Sequence, residues 1–264
     1  MTQTLRRDPR IRGIAWRDLA RLEPAERWRE LLLPLPFLLL ARAGARFGLT
    51  ALVLLGSAYF FLAGLRLVHD AFHSNLGLGR RATHALLLGL SGLMLGSMHA
   101  VRLTHLEHHR DCLGPGDVEG ATSRRTAVGA LAAGLVFPVA LHHAAWRLAG
   151  PANRRWIALE LSLTALCCCL ALADVVPGLR DHVALMLLAQ AMTGFFAVWT
   201  VHHDVDAEQQ LARTLRHRVK SAVALGMFFH LEHHLFPRVP TCHLPALADR
   251  LQDAAPELSE ATVY

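Results

Sequence analysis

Apolar residues in this chain come in long blocks instead of alternating with polar ones. The blocks are residues 31–45, 49–68, 82–101, 126–148, 156–176 and 183–201. A helix needs about 20 apolar residues to cross a bilayer, with about 17 as the short limit. Blocks 49–68, 156–176 and 183–201 meet that length. Block 31–45 is marginal, being broken by Pro34, Pro36 and Arg42. The short connection 43–48 predicts a helical hairpin over 31–68, and the turn at 177–182 predicts a second over 156–201. Block 126–148 carries Pro138, His142, His143 and Arg147 and is expected to lie along the membrane interface. The expected fold is an all-α integral membrane protein in one domain, 1–264. It has four transmembrane helices in two hairpins, plus interfacial or re-entrant helices and a cytoplasmic cap that holds two metals.

Composition agrees with a membrane location. Hydrophobic residues make up 53% of the chain, too many for an ordinary soluble domain. The net charge is +6 and almost all of the basic side is arginine, which resembles the coding bias of a GC-rich bacterial genome. Residues 1–30 are rich in arginine, diluted by Asp8, Asp18, Glu23, Glu26 and Glu30. Because apolar blocks follow at once, this segment is expected to flank the membrane on its cytoplasmic side and to bind no nucleic acid.

The candidate chemistry lies at the ends of the apolar blocks. His69 and His73 stand in H-D-A-F-H. His105, His108 and His109 stand in H-L-E-H-H, and the same five letters return with His230, His233 and His234. On a helix, positions i, i+3 and i+4 share one face, and neutral imidazole is the commonest metal ligand. Eight converging rings exceed the needs of one tetrahedral ion, so two metals are expected. If block 82–101 spanned the membrane, His73 and His105 would lie on opposite sides. The block is therefore expected not to span, with Gly89, Gly92 and Gly96 permitting a bend or close packing. The polar stretch after His203 predicts a cytoplasmic cap over 202–264. His84, His182, His217 and His243 lack ligand spacing and are expected at interfaces or in solvent. His142 and His143 are expected at headgroups, and His99 is the best of the remaining histidines. Cys112 and Cys242 lie near the boxes but have no C-x-x-C partner, so neither is placed in the ligand set.

The motifs H-D-A-F-H, H-L-E-H-H and H-L-E-H-H-L-F-P resemble, in order and spacing, the three histidine boxes of the membrane fatty acid desaturase superfamily. That resemblance implies a non-haem di-iron enzyme of the cytoplasmic membrane, with both termini and the metal site cytoplasmic and dioxygen as co-substrate. It implies His69, His73, His105, His108, His109, His230, His233 and His234 as iron ligands. A further ligand upstream of the last box matches His202 or His203, and His203, beside Asp204, is preferred. Asp70, Glu107, Asp204 and Glu232, each in or beside a box, are expected to accept the far N–H of ligating rings. The leading activity is oxygen-dependent desaturation or hydroxylation of a lipid acyl chain. A carotenoid ketolase or hydroxylase is the alternative enzyme, and a metal transporter or metal-binding membrane protein the non-enzyme alternative. With no electron-transfer domain in the sequence, a separate ferredoxin or cytochrome-like donor and its reductase are expected as partners.

Overall fold

The computed structural model describes residues 4–205, 211–259 and 263. All elements among the described residues are helical, without strands. Three helices are long and apolar enough to cross a membrane: Thr50–Phe72, Pro151–Leu172 and Leu179–His202. The count reaches five if two bent helix pairs are each taken as one span. The marginal first block forms a helix of 13 residues, Leu35–Phe47, about 20 Å long. It packs along Thr50–Phe72 through a reversal at Gly48, whose φ of 67° is left-handed. This is the expected hairpin, with one arm shorter than a span.

The block at 82–101 folds as two helices, Arg80–Met94 and Met98–Arg110, bent by 107°. Its path starts and ends at the same place, because His73 Nε2 lies 3.0 Å from His105 Nε2. The left-handed residue at the bend is Leu95, at φ 59°, and not one of the glycines. Gly92 instead serves close packing, since a Cβ there would sit 2.7 Å from Leu163.

An elbow of this kind frees backbone groups that have no water to bind at membrane depth. Side chains satisfy them. At the start of the second-box helix, Ser97 N donates to His142 Nε2 and Met98 N to Ser91 Oγ, while His99 N donates to Glu160 Oε2 and Ala100 N to Ser97 Oγ. On the preceding helix end, Leu93 O accepts from His182 and Met94 O from Gln190. The second hairpin, which supplies Glu160, His182 and Gln190, therefore holds the elbow shut. His142, expected at headgroups, is part of this lock. His84, expected to be interfacial, contacts His99 Nε2 through Nδ1 at 2.7 Å.

The block at 126–148 is also bent, by 65°, between Ala127–Ala133 and Phe137–Leu148. The last span has a π-helical stretch at Gly194–Trp199 before its final turn, Thr200–His202. Thr122 Oγ1 donates to Gly194 O at the start of that stretch, 3.0 Å away. Beyond the span, the third-box helix His230–Leu235 and the amphipathic helix Leu244–Ala254 share an apolar core with Ile11 and Ile14 of the N-terminal segment. That segment is thus part of the histidine-bearing end of the molecule. Arg6 donates to His234 O at 2.8 Å, and Arg250 pairs with Asp18.

Candidate metal centre

The three boxes come together by three different routes. His69 ends the helix Thr50–Phe72 and His73 caps it. His105, His108 and His109 share one face of Met98–Arg110, which the elbow turns back toward the first box. The third box forms its own short helix, His230–Leu235.

The rings form two groups. His69, His73, His105, His109 and His233 make one, with each ligand atom within 4.8 Å of the others. His108, His202 and His234, with Cys112, make the second under the same limit. His230 joins the second group, its Nε2 lying 3.0 Å from His202 Nε2 and 3.1 Å from His234 Nε2. His108 Nε2 closes the circuit, 3.2 Å from His202 Nε2 and 3.3 Å from His234 Nε2. In the first group His233 Nε2 and His109 Nε2 are 2.8 Å apart.

These separations suit a metal. Nitrogens bound at about 2.0–2.1 Å with angles between square and tetrahedral lie about 2.9–3.4 Å apart. Without an ion, facing Nε2 lone pairs repel unless a proton sits between each pair. Several ring nitrogens are also shielded from solvent and without a partner among the described residues: both of His69, Nδ1 of His109 and Nδ1 of His234. Buried polar groups are rarely left so, and for one nitrogen of His69 a metal ion would supply the missing partner. The donor set of imidazoles fits iron, zinc, copper or nickel.

Burial disfavours charge on several of the rings, and ligation requires neutral ones, whereas at His108 burial is outweighed, chiefly by the bond to Asp117, and the ring stands well above the usual value. Burial depresses His73 to about 2, with His105 and Arg102 adding to the effect. His230, His233 and His234 are also held well below the usual histidine value, by burial first and neighbouring rings second.

The fourth route into the site comes from the last span, and it delivers His202. His203 turns away, with its ring stacked on Trp199 at 3.9 Å and Nδ1 on Trp199 O. The preference for His203 gives way to His202. A π-helical stretch adds a residue to the helical turn and shifts the phase of the residues after it. Helical spacing alone gives no sign of this.

The four acids expected behind the rings do other things. Asp70 accepts from Asn75 and from Thr241, fastening the first box to the segment after the third. Glu232 accepts from Thr214 and Arg216. Glu107 pairs with Arg110 at the surface, and Asp204 is exposed with a φ of 51°. None contacts a ring in the two groups. Successive helix residues point about 100° apart, so an acid next to a ligating histidine faces away from its ring. The acceptors come instead from the loop after the second box: Asp117 Oδ2 is 2.7 Å from His108 Nδ1, and Glu119 Oε1 is 2.9 Å from His105 Nδ1. These bonds assign the proton to Nδ1 and aim the Nε2 lone pair inward. Burial works to raise the Asp117 carboxyl, but the bond to His108 and those from Gly120 and Leu113 hold it below the usual value. The signal for this pair was D-V-E placed just after the G-P-G turn.

A family model described as Fatty acid desaturase matches residues 43–263. The chain belongs to the fatty acid desaturase family. Searches of curated proteins and of solved structures give no match. Membership implies an oxidation of desaturase or hydroxylase type, and in this desaturase-family protein the clustered histidines fit a di-metal site. The helices of spanning length agree with the family's membrane character.

Proposed function

We propose that this protein is an oxygen-dependent desaturase, or a hydroxylase, of a lipid acyl chain, using two histidine-held iron ions in the cytoplasmic membrane. The observation that carries the proposal is the closed circuit of His108, His202, His230 and His234 Nε2 atoms beside the group of five. Bound iron supplies the redox chemistry by which dioxygen takes two hydrogens, or inserts oxygen, at an unactivated methylene.

The chain's own residues do the rest. His69, His73, His105, His109 and His233 hold one ion; His108, His202, His230 and His234 hold the other. Asp117 and Glu119 accept from Nδ1 of His108 and His105, so both rings stay oriented with Nε2 toward the centre. A small, mainly apolar slot of about 30 Å³ lies near the second-box helix, with His142, Gln190 and Thr193 as its polar lining. Phe61 and Leu65 line it from the first-box helix, with Met98 and Val101 from the second-box helix and Phe137 and Leu141 opposite. Val101 precedes His105 by one helical turn, so the cavity lies close to the rings, and an acyl chain entering there would have to part these side chains. The slot and the buried cap exclude water from the reacting carbon. Electrons come from a separate ferredoxin or cytochrome-like donor with its reductase, docking on the cytoplasmic side.

The test is mass spectrometry of total lipids from cells expressing the wild type or His108→Ala. A desaturated or hydroxylated acyl species in the first and its loss in the second is the expected result. Unchanged lipids with new oxygenated carotenoids, in a host that makes β-carotene, would overturn the acyl-chain assignment.

A further inference from the structure

We propose that Cys112 is a thiolate ligand of the second metal position, making that position a mixed nitrogen and sulfur site while the first is all nitrogen. This rests on the di-metal reading above and adds to it a residue outside the histidine boxes.

Cys112 follows His108 by four residues, just past the end of the second-box helix, and is buried and free. Its Sγ lies 3.8 Å from His108 Nε2, and Sγ and the ligand nitrogens of His108, His202 and His234 all fall within 4.8 Å of one another. For a metal that binds sulfur at about 2.3 Å and nitrogen at about 2.1 Å, adjacent donors lie about 3.1–3.8 Å apart and opposite donors about 4.4 Å apart. The 3.8 Å to His108 falls in that range, the 4.8 Å limit closes to it with a small inward movement of the Cys112 side chain, and His230 stands outside this set on the far side of the circuit from Cys112. No other cysteine approaches either group: Cys112 alone joins histidines in the donor clusters of the described residues.

Charge gives a second reason. The rings here bring no negative charge, and a buried divalent ion among neutral ligands keeps a large uncompensated charge. Asp117 reaches this group through His108, but a directly bound anion compensates better. Cys112 can supply one, and Arg6 stands beside it. Arg6 donates to His234 O, and although burial lowers the guanidinium, the Cys112 sulfur beside it acts in the opposite direction. On binding, the S–H proton leaves to solvent, a sulfur lone pair forms the bond to the metal, and no oxidation state changes.

Cobalt(II) loading of the full-length protein in detergent tests this without any turnover. A cobalt–thiolate pair absorbs in the near ultraviolet by charge transfer, and a cobalt–imidazole pair does not. The band is expected in the wild type and in a variant with Cys167, Cys168, Cys169 and Cys242 changed to Ala. It is expected to vanish in Cys112→Ala. X-ray absorption at the cobalt edge of the wild type guards against misfolding of the variant, and should show a sulfur neighbour at about 2.3 Å. Two cobalt ions per wild-type chain with no band and no sulfur neighbour would overturn the proposal while leaving the di-metal site standing. A band that survives in Cys112→Ala would also overturn it. No cobalt uptake by the wild type would remove both the di-metal reading and this one.

Discussion

The two histidine groups differ in what stands behind their rings. In the second, His108 is anchored by Asp117 and His202 by the carbonyl of Leu211, 3.1 Å from its Nδ1, and the four Nε2 atoms close on themselves. In the first, His105 is anchored by Glu119, but His69 has neither nitrogen partnered and His109 has a free Nδ1, against a single free Nδ1, that of His234, in the second, among the described residues. Rings held from behind lose less freedom when an ion arrives. The second position is therefore expected to bind more tightly, and the first to fill later and to release its ion more readily.

The largest expected effect tests what the groups share. Glu160 accepts from Ser97 Oγ at 2.5 Å and His99 Nδ1 at 2.6 Å, besides the backbone of His99. Glu160→Ala leaves these donors buried and unpaired, at a cost of about 3 kcal/mol or more. Because the elbow carries the second box, which feeds both groups, both positions should lose metal together, with a fall in thermal midpoint. Loss from one position alone would show that the elbow is not what sets the geometry.

The next effect separates the groups. Asp117→Asn should weaken binding at the second position about 10–100-fold, and Glu119→Gln should do the same at the first. A competing chelator in a metal titration reads the two steps. Equal effects of both variants on both steps would break the comparison.

Acid gives a smaller and more gradual effect. His73, His230, His233 and His234 have lower values in the fold than the usual histidine value of 6.5. Between those values the unfolded chain binds more protons than the folded one, so their contribution to stability is full above 6.5 and falls as pH drops below it, while His108, raised by Asp117, contributes stability that is lost only as pH rises above 6.5. Metal loss follows the same direction, since ligands must be neutral. Urea unfolding of the metal-free protein at a series of pH values checks this, and a stability that rises on acidification from 6.5 would contradict it. The smallest effect belongs to Glu107→Ala. It removes a surface ion pair and should change stability by no more than about 0.5 kcal/mol, without altering metal content.

Much of this was legible in the chain. The boxes and the bend between His73 and His105 follow from helical spacing and from the requirement that the rings meet on one side. The missed details share a cause: they depend on contacts between distant segments. Asp117 and Glu119 reach rings 9 and 14 residues away through a turn, whereas the acids inside the boxes are aimed elsewhere by helical rotation. The neighbour Asp204 favours His203 in the sequence and leaves His202 open, but the final turn after the π-helical stretch presents His202 to the rings and His203 to Trp199. The sequence points His142 to headgroups and His182 to an interface or solvent, Glu160 stands inside an apolar block, and their partners in the elbow are about 45 to 90 residues away. The marginal block 31–45 gave a shorter helix than a span because its prolines start it late, at Leu35.

The central claim is that histidines from four separate segments converge on two metal positions, with His202 as the member from the last span. Metal analysis of the purified protein, wild type against His202→Ala and His203→Ala, tests it directly. The account predicts two iron ions per chain in the wild type and in His203→Ala, and one or fewer in His202→Ala. Full iron in His202→Ala with loss in His203→Ala would contradict it.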